Sequence, residues 1–294
     1  MHKKIKEEII IKRKNKNKLT YLCLVISTVL SCTAPSVFAD EVTGNKNKSG
    51  IEEKSPAFSD IAGYISVGYD TNAYTNHQQD RSLSWNLGVN TVYNDTFKLY
   101  ASAGAYRSFD SNRGDFYTDT IVGVRLSSLF QFGRSGKVGL GGQFVIPTSE
   151  HSRDDKLTTA FRLDMPISIE YLGINFGMSP RIRKNFHRYK TGGNRSLTEW
   201  IYSLSFWTNY SWSDYSVGLS MLGGETVSYQ GTVRDEYSYS GSVYLSYSWT
   251  DKVSTTISAA NAGYYVEAER GSLGNIDFFD LTSSSYNFDV TYLF

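Results

Sequence analysis

From Ile61 to the last residue, apolar and polar positions alternate almost without interruption. The stretch 157–170, LTTAFRLDMPISIE, shows the pattern well. One parity carries Leu157, Thr159, Phe161, Leu163, Met165, Ile167 and Ile169; the other carries Thr158, Ala160, Arg162, Asp164, Ser168 and Glu170. A period of two places successive side chains on opposite faces of a β-strand. The same alternation runs through LSWNLGVNTVY (83–93), INFGMSPRIR (174–183), WIYSLSFWTNY (200–210), YSVGLSML (215–222) and YSYSGSVYLSYSW (237–249). These strings are about 9–14 residues long, beyond the 5–6 of an ordinary globular strand and right for a tilted strand that crosses a bilayer.

The pattern predicts twelve strands, near 61–70, 82–93, 97–107, 116–127, 137–147, 157–170, 174–184, 197–210, 215–224, 236–249, 253–266 and 282–294. Their connections alternate in length. Short turns fall at Asn94-Asp95-Thr96, Leu172-Gly173, Ser211-Trp212-Ser213-Asp214 and Thr250-Asp251-Lys252, with a medium one at 128–136. Longer polar loops fall near 70–82, 108–115, 148–156, 185–196, 225–235 and 267–281. Short turns on one side, long loops on the other and an even strand number describe an outer-membrane barrel, and twelve strands put both termini on the short-turn, periplasmic side.

Alternation alone fits a soluble sandwich as well as a barrel, so the distribution of aromatics matters. Outward candidates cluster near the short turns (Tyr93, Phe97, Tyr171, Tyr210, Tyr215, Tyr247, Trp249, Tyr292, Phe294). A second set lies towards the long loops (Tyr69, Phe116, Phe186, Trp200, Tyr202, Tyr237, Tyr239). Two aromatic girdles around an aliphatic band match the two interfaces of a bilayer. The expected fold is therefore all-β: a single antiparallel transmembrane barrel of about twelve strands covering 60–294.

The N-terminus points the same way. Lys and Arg crowd the chain up to Lys18, an apolar run covers Tyr21 to Leu30, and small residues lead to Val37-Phe38-Ala39. This is the layout of a secretory signal peptide over residues 1–39, its apolar run too short to span a membrane. An alternative reading takes VLSC, ending at Cys32, as a lipidation site. Residues 40–59 have few apolar groups and read as a disordered periplasmic tail. Removing 1–39 takes eight basic and two acidic residues with it, and the formal charge moves from +1 to −5. No basic footprint for nucleic acid survives. Both cysteines, Cys23 and Cys32, lie in the leader, so the exported chain has no disulfide. Aromatics reach 15% and mean hydropathy is −0.35, and after residue 40 no window approaches 18 apolar residues, which excludes a membrane-spanning helix there.

The chain ends YNFDVTYLF. Tyr286, Phe288, Val290, Tyr292 and the terminal Phe294 resemble the β-signal by which outer-membrane barrels are recognised by their assembly machinery, with Asp289 where that signal often has Gly. The opening stretch 63–93, with GYDTN at 68–72, resembles β-barrel porins that carry a G-Y-D-x-N motif, some of them linked to exopolysaccharide export. These resemblances imply outer-membrane lipid and lipopolysaccharide as surroundings and oligo- or polysaccharide as a solute.

Parity sends Lys98, Arg125, Arg162, Arg181 and Arg183 into the lumen, against Asp119, Asp164, Glu170, Glu199, Glu236 and Asp289. A two-residue turn at Leu172-Gly173 sets Asp164 opposite Arg181 and Arg162 opposite Arg183, giving an expected Asp164–Arg181 ion pair with Arg183 within reach of Glu199. Such a rung either selects solutes in a narrow pore or plugs the barrel with paired charge, since twelve strands stand between a filled eight-stranded barrel and an open sixteen-stranded one. Small inward residues (Ser203, Ser205, Gly218, Ser240, Ser242, Ser246) leave room on the opposite wall. The cationic loop 184–196 (Lys184, Arg188, Lys190, Arg195) reads as a site for lipopolysaccharide phosphate or acidic glycan, or as an ordinary solvated loop. The mature histidines (His77, His151, His187) lie in long loops without metal-ligand spacing. SEHSRDD (149–155) keeps a surface hydrolase using His151 open as a third reading, after a channel and an adhesive barrel acting through its loops. No cofactor is implied.

Overall fold

The computed structural model describes residues 58, 61–73, 79–94, 96–110, 113–192, 195–265 and 284–294, with backbone only at 234–238 and 262–265. Twelve staves make the wall. They are β1 (Ala62–Asn72), β2 (Arg81–Tyr93), β3 (Phe97–Ser108), the pair β4 (Gly114–Tyr117) and β5 (Thr120–Phe132), β6 (Gly136–Ile146), the pair β7 (Leu157–Asp164) and β8 (Ile167–Tyr171), and β9 (Ile174–His187). The circuit is completed by β12 (Thr198–Trp212), β13 (Tyr215–Ser228), β14 (Val233–Ser248), β15 (Val253–Tyr265) and β16 (Ser285–Leu293). Two short strands, β10 (Thr191–Gly192) and β11 (Arg195–Ser196), form a separate hairpin in one long loop, and α1 (Glu150–Asp154) is a single helical turn in another. Ser149 caps α1 by accepting the Ser152 backbone N–H.

Each stave pairs antiparallel with the next in sequence. The circuit closes where β16 meets β1, from Tyr64↔Leu293 to Asn72↔Ser285. Following the pairings once around returns to the starting strand displaced by about 16 residues, which for twelve strands means a tilt near 45° and a backbone radius of about 12 Å. Closure leaves no unpaired edge. It also explains why these strands are long: a strand tilted this far needs more residues to cover the same height.

The apolar parity faces outward. Ile65, Val67, Leu87, Leu99, Val122, Leu140, Leu163, Leu204, Val217, Leu245, Ile257 and Val290 are all exposed. A continuous exposed apolar belt of this size is a lipid-facing surface and rules out the sandwich, whose apolar face would be inside. On the short-turn side, contacts link Tyr210, Trp212, Tyr215, Tyr247 and Trp249 into one aromatic chain with centroid spacings of 4.8–5.7 Å. Phe58, expected in the tail, packs on Tyr93 at 5.0 Å and bridges to it; the rest of 1–57 lies outside the described residues.

Three expectations need correction. Phe116 is not an outward girdle residue: it stacks on inward Tyr106 at 5.2 Å, and Tyr117 points out instead. The cause is a break at Thr118-Asp119, where Thr118 folds back onto the Gly104 carbonyl and the parity of the stave flips. The strand expected over 157–170 divides at Met165-Pro166, because proline has no N–H for the ladder; Gly139 uses the Pro166 carbonyl instead, and the wall stays closed. The turn expected over 128–136 tightens to 133–135, with Gly133 at φ +61°. The Tyr237 side chain lies outside the described residues.

The lumen as candidate functional site

The interior is divided into a basic wall and an acidic one. On the basic wall, Arg125 of β5 pairs across to Gly141 of β6, and Gly141 pairs to Asp164 of β7. A Cβ on Gly141 would stand 2.7 Å from an Asp164 oxygen. Its absence opens a gap through which Arg125 Nη2 reaches Asp164 Oδ2 at 3.4 Å, over the intervening strand. Arg162 approaches the other oxygen at 3.8 Å and donates to Gln143 Oε1 at 2.6 Å, which also accepts the Tyr100 hydroxyl at 3.1 Å. Asp164 is 3% exposed.

Arg181 lies opposite Asp164 and Arg183 opposite Arg162, the register set by the tight Leu172-Gly173 turn, where both residues have positive φ. The expected Asp164–Arg181 ion pair does not form at contact distance; Arg125 reaches one carboxylate oxygen, Arg162 stands 3.8 Å from the other, and that oxygen is buried without a hydrogen bond, as are Arg125 Nε, Arg162 Nε and Arg181 Nε. Arg183 does not meet Glu199 either. A register shift between Thr198 and Trp200 turns Glu199 towards Lys184 (3.4 Å), and Arg183 donates to Asn185 at 2.8 Å. Three guanidinium groups thus surround one carboxylate, with Lys98 directly opposite Arg125 and Arg183 one step above. The wall carries surplus positive charge.

The opposite wall is acidic and was not assembled by sequence reasoning. Asp70 of β1 accepts from Asn287 Nδ2 of β16 at 2.9 Å and from the Ser84 hydroxyl at 3.2 Å; Asp289 accepts from Thr291 at 2.7 Å. Among the described residues neither carboxylate pairs with Lys or Arg. The β16–β1 seam sits six staves from β7, so the two charge clusters face each other across the lumen. The staves between them are lined with small groups (Ser216, Gly218, Ser220, Ser240, Ser242, Ser246, Thr256), including a Ser220–Ser242 hydrogen bond of 2.7 Å.

Besides Tyr106 and Phe116, four of the inward aromatic rings each lie over a glycine of an adjacent strand. Tyr64 covers Gly88, Tyr100 covers Gly123, Trp207 covers Gly177 and Tyr244 covers Gly218; in all four a Cβ on the glycine would collide with the ring. Rings seated this way stay against the wall instead of crossing the axis. Gly177→Val should dislodge the Trp207 indole and lower single-channel conductance by roughly a third, the share of a ~12 Å lumen that an indole would occupy. Gly142→Val should not, since a Cβ there meets nothing nearer than 3.7 Å on the lipid side.

The other sequence candidates lie at the long-loop end. Lys184 sits over the Trp200 ring at 4.5 Å, and Arg195 pairs with Asp155 at 3.5 Å. His151 also reaches Asp155, at 3.7 Å, while Ser152 donates its hydroxyl to Asp119 at 2.6 Å and so points away from a role beside His151. His187 packs on Tyr229, whose hydroxyl donates to the Asn185 carbonyl at 2.6 Å. His77 and the Glu236 side chain lie outside the described residues. Tyr286, Phe288, Val290 and Tyr292 line the outer face of β16, and Phe294 exchanges two backbone hydrogen bonds with Gly63, of 2.9 and 3.0 Å.

Comparison with solved structures places this geometry. An outer membrane channel from Pseudomonas putida F1 aligns over 85% of this chain and 100% of its own, at 14% identity and a TM-score of 0.55. The fold is that of an outer-membrane barrel. The NanC porin aligns over 78% of this chain and 98% of its own, at 14% identity and a TM-score of 0.52. No protein-family profile matches the chain, and no curated protein matches it in sequence.

Proposed function

We propose that the protein is a porin-like channel of the outer membrane for small or oligosaccharide-like solutes, with anions drawn to the Arg125/Arg162/Arg181 wall. One observation carries this reading: a surplus of guanidinium groups around Asp164 faces Asp70 and Asp289 across an interior in which Tyr64, Tyr100, Trp207 and Tyr244 are folded against wall glycines. A plugged barrel would pair its charges and send its large side chains to the axis. Opposed charged walls set up a field across the pore, which orients dipolar solutes and favours one sign of ion. Polysaccharide export is the narrower form of the same reading, and net outward flux of glycan from vesicles would be its signature.

The test is ion selectivity of the refolded protein in planar bilayers. Replacing Arg125, Arg162 and Arg181 with Gln and Asp164 with Asn removes two net positive charges without stranding the carboxylate. Each charge acts on a passing ion from about 10 Å, so the anion-to-cation permeability ratio should fall about fivefold. A wild-type barrel that does not conduct would overturn the channel; a ratio unmoved by the four substitutions would overturn the basic wall as its selective element.

A further inference from the structure

We infer that Tyr64, Tyr100, Trp207 and Tyr244 form one binding level for carbohydrate, a ring of flat aromatic platforms that take the apolar faces of pyranose rings as a glycan chain passes. The inference rests on the open-lumen reading and adds a site to it. Cross-strand registers, corrected for the stagger of the barrel, bring the four residues to within about two residues of one height. They stand on β1, β3, β12 and β14, so Tyr64 lies almost diametrically opposite Trp207, and Tyr100 almost opposite Tyr244.

Seating on glycine determines what each ring presents. Each ring packs on the bare backbone of Gly88, Gly123, Gly177 or Gly218 and keeps partial exposure, and over the Tyr100 ring stands the Arg125 guanidinium at 6.0 Å. A side chain standing upright from the wall would offer an edge. An exposed face carries the negative part of the aromatic quadrupole, which attracts the weakly positive C–H hydrogens on the flat side of a sugar. The hydroxyls around the rim of the sugar then need donors and acceptors. Immediately above the aromatic level are Arg162, Arg181 and Gln143 on one wall and Asn287 and Asp289 on the other.

The probe is maltohexaose, added to the refolded full-length chain in planar bilayers, with polyethylene glycol of similar mass as the control for simple occlusion. The sugar should interrupt the ion current for longer than the polymer does. Trp207→Leu combined with Tyr244→Leu, which keeps both glycine seats covered, should weaken the apparent affinity about tenfold, the worth of two stacking contacts. A second reading needs no current. With Trp85, Trp200, Trp212 and Trp249 changed to Phe, maltohexaose should shield Trp207 fluorescence from acrylamide. Shielding without conductance would leave the carbohydrate site standing and remove the channel. Conductance with neither sugar-specific interruption nor shielding would overturn the site and leave the channel. If the double leucine variant does not fold, the single-tryptophan protein decides the matter alone.

Discussion

Replacing Asp164 with alanine should cost the barrel about 3 kcal/mol, because it removes the one carboxylate among several guanidinium groups. The carboxylate is 3% exposed, Arg125 and Arg162 reach it from either side, and Arg181 stands opposite. Stripping a buried ion cluster of its counter-charge leaves uncompensated like charges, which costs more than the cluster contributed when intact. Arg125 is 43% exposed to the lumen and can be rehydrated, which keeps the cost at the lower end for such a loss. Urea titration of refolding into lipid vesicles measures it. Adding Arg125→Gln and Arg162→Gln to Asp164→Ala should recover most of the loss, since no surplus charge then remains. An Asp164→Ala barrel as stable as the wild type would mean that lumen water screens the arginines and that Asp164 holds nothing in place.

Deleting Phe294 should give the second large effect, a loss of folded barrel from the membrane. Its backbone closes the last rung of the seam against Gly63, and its ring lies over Gly63, where a Cβ would collide with it. Two hydrogen bonds and one aromatic contact come to roughly 2–3 kcal/mol. The seam joins the two ends of the sheet, so opening it exposes two strand edges at once. Phe294→Leu separates the two roles proposed for this residue. It keeps the rung but not the ring, so refolding into vesicles should change little, while the amount of barrel assembled in cells should drop if the ring is read during assembly. Equal membrane levels of Phe294→Leu and wild type would argue against that recognition; undiminished stability of the deletion would argue against the seam.

The face of nearly every strand residue could be read from the period of two. Since burial is set by parity, the alternation in 157–170 sends Arg162 and Asp164 inward whatever the rest of the chain does, and a two-residue turn carries that parity to Arg181 and Arg183. Reading by parity fails where the backbone breaks it. At Thr118-Asp119 the flip that turns Phe116 inward comes from a hydrogen bond to Gly104, a residue of the neighbouring strand. At Thr198/Trp200 a register shift hands Glu199 to Lys184.

What only the tertiary structure decides is which inward groups meet. Asp164 has several cations within a few ångströms by register. The pairing goes to Arg125, two strands away, because Gly141 between them has no side chain. The Asp70–Asn287 contact spans 217 residues of chain and exists only because the sheet closes on itself. The common height of Tyr64, Tyr100, Trp207 and Tyr244 depends on the stagger accumulated around the whole circuit. Periodicity is a property of each strand and survives in the sequence; partner choice and level depend on distances between strands, which do not exist until the barrel has closed.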